Sequence, residues 1–184
     1  QWQTEKDEES FYSFIYYRLL GWKTNVTVPN YDKCVICAAP HTSNWDLFIG
    51  KLFYGAIGRK TSFMMKGMVL FSSWSDIQSR WRHSGEPGRK SSLVDQMTER
   101  FAASKHFHLA ITPEGTRKAN PNWKKGFYYI ALKAQVPLCL SGLIILPRPS
   151  LYQTVMPTGD IEKDMREIKL YFKNFKGKIP KILI

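Results

Sequence analysis

Cysteine, histidine and acidic residues are all scarce in this chain, and each shortage excludes something. The 184 residues hold three cysteines and four histidines. Three thiols cannot all pair within one chain, so no disulfide framework is expected. Cys34 and Cys37 lie in the apolar run Cys-Val-Ile-Cys-Ala-Ala, which reads as a buried strand. Positions three apart on a strand point to opposite faces, which favours core packing over a zinc half-site or a redox pair. Acids number 15 against 27 lysines and arginines, a net charge of +12, and Glu5, Asp7, Glu8 and Glu9 sit within the first nine residues. The rest of the chain is therefore more basic than the total suggests. Such a balance favours an anionic partner: a phospholipid surface, nucleic acid, an acidic protein or a phosphorylated substrate. No apolar run approaches the ~20 residues that span a bilayer, and no signal-peptide pattern opens the chain. With reduced thiols, this predicts a cytoplasmic location. Repeats and low-complexity tracts are missing too, and the length suits one domain with a real core.

What is present alternates between two periodicities. Ser10 precedes Phe11, Tyr12, Phe14, Ile15, Tyr16, Tyr17, Leu19, Leu20 and Trp22, with Gly21 as a stop. This predicts a short amphipathic helix, apolar and aromatic over most of its circumference, packed on the core, lying in a membrane interface, or both. Strands are expected at Asn25–Val28, Lys33–Ala39, Thr61–Lys66, Phe107–Thr112 and Leu138–Ile145. Helices are expected at Trp45–Ile57, Lys90–Ser104, Trp123–Gln135 and Ile161–Phe175, the last with Ile161, Met165, Ile168 and Phe172 on one face. The pattern predicts an α/β sandwich with functional loops at strand ends.

Two of those loops carry chemistry. The first reads Pro-His-Thr-Ser-Asn-Trp-Asp, residues 40–46, after the strand Lys33–Ala39. If Ser43 caps the next helix, Asp46 falls at its third position, as in a capping box. Five residues along a regular helix would turn His41 about 140° away from Asp46, but His41 precedes the cap, where the chain can fold back over the first turn. An imidazole–carboxylate contact is thus allowed at a positively polarised helix start. There Asp46 would fix the tautomer of His41 and stabilise the imidazolium. The second loop reads Thr-Pro-Glu-Gly-Thr-Arg, residues 112–117. Gly115 permits a tight turn, Thr116 offers a hydroxyl, and Arg117 offers a planar fork suited to phosphate. A polar loop with a solvated arginine is the plainer alternative. Lys118, Lys124 and Lys125 deepen the positive field, or form an ordinary charged face.

Taken together, His-x4-Asp after one strand and Pro-Glu-Gly-Thr-Arg after a later one resemble the glycerolipid acyltransferase family, typified by bacterial 1-acylglycerol-3-phosphate acyltransferases. The likeness extends through "WKKGFYYIALKAQVPL" (Trp123–Leu138) and "PTGDIEKDM" (Pro157–Met165), and is greatest to short members without transmembrane helices. It implies a single-domain sandwich of a mixed, largely parallel sheet with flanking helices over residues 25–184, preceded by an acidic segment and interfacial helix over 1–24. It also implies a reaction without a covalent acyl-enzyme. His41 is general base on a hydroxyl of a glycerol-phosphate or lysophospholipid-like acceptor, Asp46 orients it, and the acceptor oxygen attacks the thioester of acyl-CoA or acyl-carrier protein. Glu114, Gly115, Thr116 and Arg117 match the acceptor-binding block, with Arg117 on phosphate and Lys66 at a second phosphate position. No metal or cofactor is implied beyond the acyl co-substrate. The protein is expected to be peripheral on the inner face of the cell membrane.

One segment departs from the family. Between the motifs, the family has an aromatic run followed by Gly-Gly, two or three apolar residues, and Asp-Arg or Asn-Arg. Residues 67–88 read "GMVLFSSWSDIQSRWRHSGEPG", with neither that block nor a convincing strand. Codons can be chosen for Lys66–Gly88 that, moved by one nucleotide, encode Lys-Glu-Trp-Phe-Phe-Phe-Pro-Leu-Gly-Val-Ile-Phe-Arg-Ala-Ala-Gly-Gly-Ile-Pro-Val-Asn-Arg-Gly, which restores it. Residues 143–153 can likewise be moved out of frame into a strand-turn-strand pattern. Both segments are read as compensated frameshifts, in the gene or in its recorded sequence. Arg80, Arg82 and Arg89 match no motif and receive no role. A nucleic-acid-binding module is disfavoured, because the aromatics sit at helical apolar positions rather than interleaved with basic residues. A metal-dependent hydrolase is disfavoured because His106 and His108 lack a nearby third ligand. A catalytically impaired, lipid-binding relative is the remaining alternative.

Overall fold

Helices cover both faces of a seven-stranded sheet, an arrangement already visible in its central strand. Lys33–Ala39 (β2) buries six consecutive residues, as a strand covered on both sides must. The computed structural model describes residues 11–21, 23–39, 45–65, 68–71, 91–116, 120–142 and 150–176. The other strands are Asn25–Val26 (β1), Ser62–Met65 (β3), Met68–Phe71 (β4), Phe107–Ile111 (β5), Leu138–Gly142 (β6) and Ser150–Val155 (β7), in the spatial order β1-β7-β6-β2-β5-β3-β4. β6, β2, β5 and β3 run parallel, β1 is parallel to β7, and only β6–β7 and β3–β4 are antiparallel. The sheet is mixed and largely parallel, as expected.

Two strands were not expected. β4 falls in the segment read as lacking a strand. Only Lys66 and Gly67 separate its Met-Val-Leu-Phe run from β3, and a two-residue link ending in glycine between apolar runs is itself a hairpin signal. β7 follows the Pro147 and Pro149 breakers and pairs across a register shift at Leu140/Ser141, so its alternation with β6 is interrupted. Residues 72–90 and 143–149, which hold most of the anomalous sequence, lie outside the described residues.

Strand alternation divides the core in two. Val35, Cys37 and Ala39 face one side with Leu109, Leu138 and Leu140, under Leu93–Ala103 (α3), Gly126–Ala134 (α4) and Ile161–Lys176 (α5). Cys34 and Ile36 face the other side with Phe63, Ala110 and Cys139, under Phe14–Leu19 (α1) and Trp45–Ala56 (α2). The two early cysteines thus point to opposite faces, as their spacing requires, and all three thiols are free and buried.

Each helix carries its own start or stop. Ser92 and Asp95 form a capping box that begins α3, trimming the expected start at Lys90. Gln135 ends α4 in a left-handed conformation (φ +54°). α1 is wound with a wider turn, the Leu20 N–H donating to the Ile15 carbonyl (3.0 Å), and stops at Gly21 (φ +63°). Contacts from this segment seat it on α2. Tyr16 is fully buried with its ring 6.4 Å from that of Phe53; the Ser13 hydroxyl donates to the Ala56 carbonyl (3.2 Å); and the Tyr12 ring occupies the space a Cβ on Gly55 would need (2.6 Å).

Candidate active site

Parallel pairing brings the two motif loops to one edge of the sheet. Cys37 of β2 lies opposite Ile111 of β5, and Met64 of β3 is also in register with Ile111. The ends of β2, β5 and β3 are therefore neighbours at the carboxyl edge, where open α/β sheets bind ligands. The His-x4-Asp segment begins two residues after β2 ends, Pro-Glu-Gly-Thr two residues after Ile111, and Lys66 directly follows β3. Asp46 is the second residue of α2, in its first turn, where a carboxylate favours the helix dipole. His41, Lys66, Arg117, the Ser43 cap and the side chain of Asp46 lie outside what the structure describes.

The Thr112–Thr116 turn is described and tightly held. The Gly115 N–H donates to the Thr112 carbonyl (3.3 Å), the Lys124 N–H to the Pro113 carbonyl (2.8 Å), and the Asn120 side-chain amide to the Glu114 carbonyl (3.2 Å). Gly115 has φ +63°, which only glycine adopts freely. Behind the turn, Trp123 meets Phe172 of α5 edge to face (5.5 Å), and the Lys169 ammonium donates to the Pro121 carbonyl (3.0 Å).

Glu114 is 3 % exposed, so it is held inside while Gly115 and Thr116 remain at the surface. Burial, and then the negative charge of Glu114, push the Cys37 thiol up. Sequence spacing had made Glu114 one residue of a binding block; its burial had no sequence signal.

Sequence reasoning also passed over a clamp behind the site. Asp164 of α5 is 1 % exposed and accepts from the Tyr128 hydroxyl (2.8 Å), the Thr158 N–H (2.7 Å) and the Thr158 hydroxyl (2.9 Å), and Tyr128 in turn accepts from the Gly159 N–H (3.1 Å). Burial alone would raise this carboxylate, but these donors and Lys163 outweigh it and hold Asp164 below its usual range. The clamp joins "PTGDIEKDM" to α4, which starts next to the Pro-Glu-Gly-Thr turn. Thr-Gly-Asp before an apolar-periodic run was the available signal.

The opposite edge of the sheet holds His106 and His108. His106 Nδ1 pairs with Asp32 (3.0 Å) at the surface, while His108 Nε2 donates to the Tyr31 carbonyl (2.6 Å) from a buried position. Among the described residues no cluster of three or more His, Cys, Asp or Glu could hold a metal ion.

A family model described as Acyltransferase matches residues 23–141. The chain belongs to the acyltransferase family. The matched span runs from just before β1 into β6 and includes both motif loops and the turn at Gly115. Neither the curated proteins nor the solved structures compared with this acyltransferase give a match.

Proposed function

We propose that this acyltransferase moves an acyl chain from acyl-CoA or acyl-carrier protein to a hydroxyl of a glycerol-phosphate or lysophospholipid-like acceptor. His41 takes the hydroxyl proton, the acceptor oxygen attacks the thioester carbonyl, and the thiolate departs carrying that proton. Asp46 holds the imidazole tautomer and stabilises the transient imidazolium. Glu114, Gly115, Thr116 and Arg117 hold the acceptor, with Arg117 and Lys66 on its phosphate. The observation that carries this reading is the β2–β5 register, which starts both motif loops from adjacent strand ends.

The surface on the α1 side supports action at a lipid surface. Phe11, Phe14 and Leu19 of the N-terminal helix are 61 %, 59 % and 70 % exposed. Phe48 of α2, also exposed, stands two turns from Gly55 on the helix face that α1 covers further along, toward the His-x4-Asp loop. An apolar strip bordered by a basic protein suits a peripheral protein on an anionic membrane face. Among the described residues no helix is long and apolar enough to cross a membrane.

The test is transfer from labelled acyl-CoA, and separately acyl-carrier protein, to a panel of lysophospholipids and glycerol 3-phosphate. Product from the wild type that disappears in His41→Ala is the expected result; undiminished product in the variant overturns the assignment of the base. The impaired, lipid-binding alternative draws on the family block missing from residues 67–88. It predicts acceptor binding without turnover. Peptide mass mapping across residues 66–90 tests the frameshift reading, which fails if the segment is recovered as written.

A further inference from the structure

The geometry points to Lys124 as a further phosphate-binding cation of this site, one that reaches the acceptor by lying across Gly115. A Cβ built on Gly115 falls 2.9 Å from Lys124 Cε, 3.1 Å from Cδ and 3.2 Å from Nζ, so the last three atoms of the lysine lie directly over the glycine. Lysine side chains ordinarily swing freely at a surface. This one starts from a fixed point. Its backbone N–H donates to the Pro113 carbonyl, and the preceding Trp123 is wedged on Phe172. Among the described residues its ammonium has no carboxylate partner. Glu114 is buried, so the ammonium gives the exposed face of the turn at Gly115 a positive character.

This fits a phosphomonoester on the acceptor better than a neutral hydroxyl compound, because an ammonium interacts with phosphate as a point charge at short range. It also gives the glycine a second reason besides its backbone angle: any side chain at position 115 would push the ammonium off the turn. The inference rests on the reading that the Pro-Glu-Gly-Thr-Arg block holds the acceptor.

Calorimetric titration of the purified chain with sn-glycerol 3-phosphate, inorganic phosphate, glycerol and desulfo-CoA tests it independently of turnover. Lys124→Met keeps the aliphatic stem over Gly115 and removes only the charge. It should weaken glycerol 3-phosphate binding by about tenfold, with Lys124→Arg recovering part of the loss. Lys105→Met, at the opposite edge of the sheet, should bind as the wild type does. Unchanged glycerol 3-phosphate binding in Lys124→Met overturns the proposal, as does a loss confined to desulfo-CoA, which would give the lysine to the donor. A wild type that binds no phosphate compound also overturns it. Acyl transfer to a neutral acceptor by that same preparation would leave the acyltransferase reading standing.

Discussion

The two faces of the sheet are covered in different ways. On the α3–α5 side, a buried carboxylate ties elements together, Asp164 of α5 accepting from Tyr128 of α4 and from Thr158, while Lys133 of α4 pairs with Asp95 of α3 at the surface. On the α1–α2 side the cover is made mostly of aromatic rings and a close approach at Gly55, with the Ser13 hydroxyl on the Ala56 carbonyl at the rim, and large apolar side chains are left at the surface. Hydrogen-bonded ties between buried groups specify one arrangement, because leaving any of them unpaired is costly. Contact that is mostly apolar tolerates more sliding and exchange with another apolar phase. The first face behaves as scaffold behind the Gly115 turn; the second carries α2, whose start holds Asp46, and offers apolar surface beside it.

The largest effect should come from breaking the scaffold. Asp164→Ala removes an acceptor of three hydrogen bonds and leaves the donors of Tyr128 and Thr158 unpaired, which should cost about 3 kcal/mol. Denaturant unfolding that moves by less than a third of this would remove the contrast between the faces. Next is Gly55→Ala, whose methyl meets the Tyr12 ring and should cost about 1–3 kcal/mol while α1 shifts on α2. Faster proteolysis after Arg18 than in the wild type would locate the change in α1; an unchanged cleavage rate would count against it.

The faces also titrate in different windows. Burial, helped by Arg59 and His106, holds His108 below the ordinary imidazole value against the pull of the Tyr31 carbonyl and Asp32. The unfolded chain then binds the extra proton first, so this contribution is complete above about pH 6.5 and is lost as pH falls below it. Asp164, lowered in the fold, keeps its contribution above about pH 4 and loses it as pH falls toward its folded value. Two steps in stability against pH are therefore expected, and His108→Asn should erase only the upper one. The smallest change in stability should come from Phe14→Ser with Phe48→Ser, each within about 0.5 kcal/mol at exposed positions. Flotation with anionic vesicles should nevertheless fall sharply; equal flotation would mean the apolar strip does not meet lipid.

Local sequence was a good guide wherever one short segment held the whole signal. Lys33–Ala39 was legible as a strand because six apolar residues in a row need cover on both faces, and the opposite facing of Cys34 and Cys37 followed from the two-residue period alone. Met165, Ile168 and Phe172 were legible as the buried stripe of α5 by their spacing. β7 was missed because its partner and its register shift belong to β6, not to its own residues. The α3 start moved from Lys90 to Leu93, the first residue of the apolar spacing, because the Ser92–Asp95 box caps the helix there.

By itself, the sequence determined the alternation of strands and helices, the order of the His-x4-Asp and Pro-Glu-Gly-Thr-Arg loops along the chain, and the basic character that favours an anionic partner. Only the tertiary structure decided that β2 and β5 are neighbours, that Glu114 turns inward, and that Lys124 crosses Gly115. The reason is physical. Helical and strand periodicity is a property of consecutive residues, whereas strand pairing and the approach of a side chain to a distant turn depend on groups far apart in the chain. Their hydrogen bonds and contacts exist only once the whole sheet has formed.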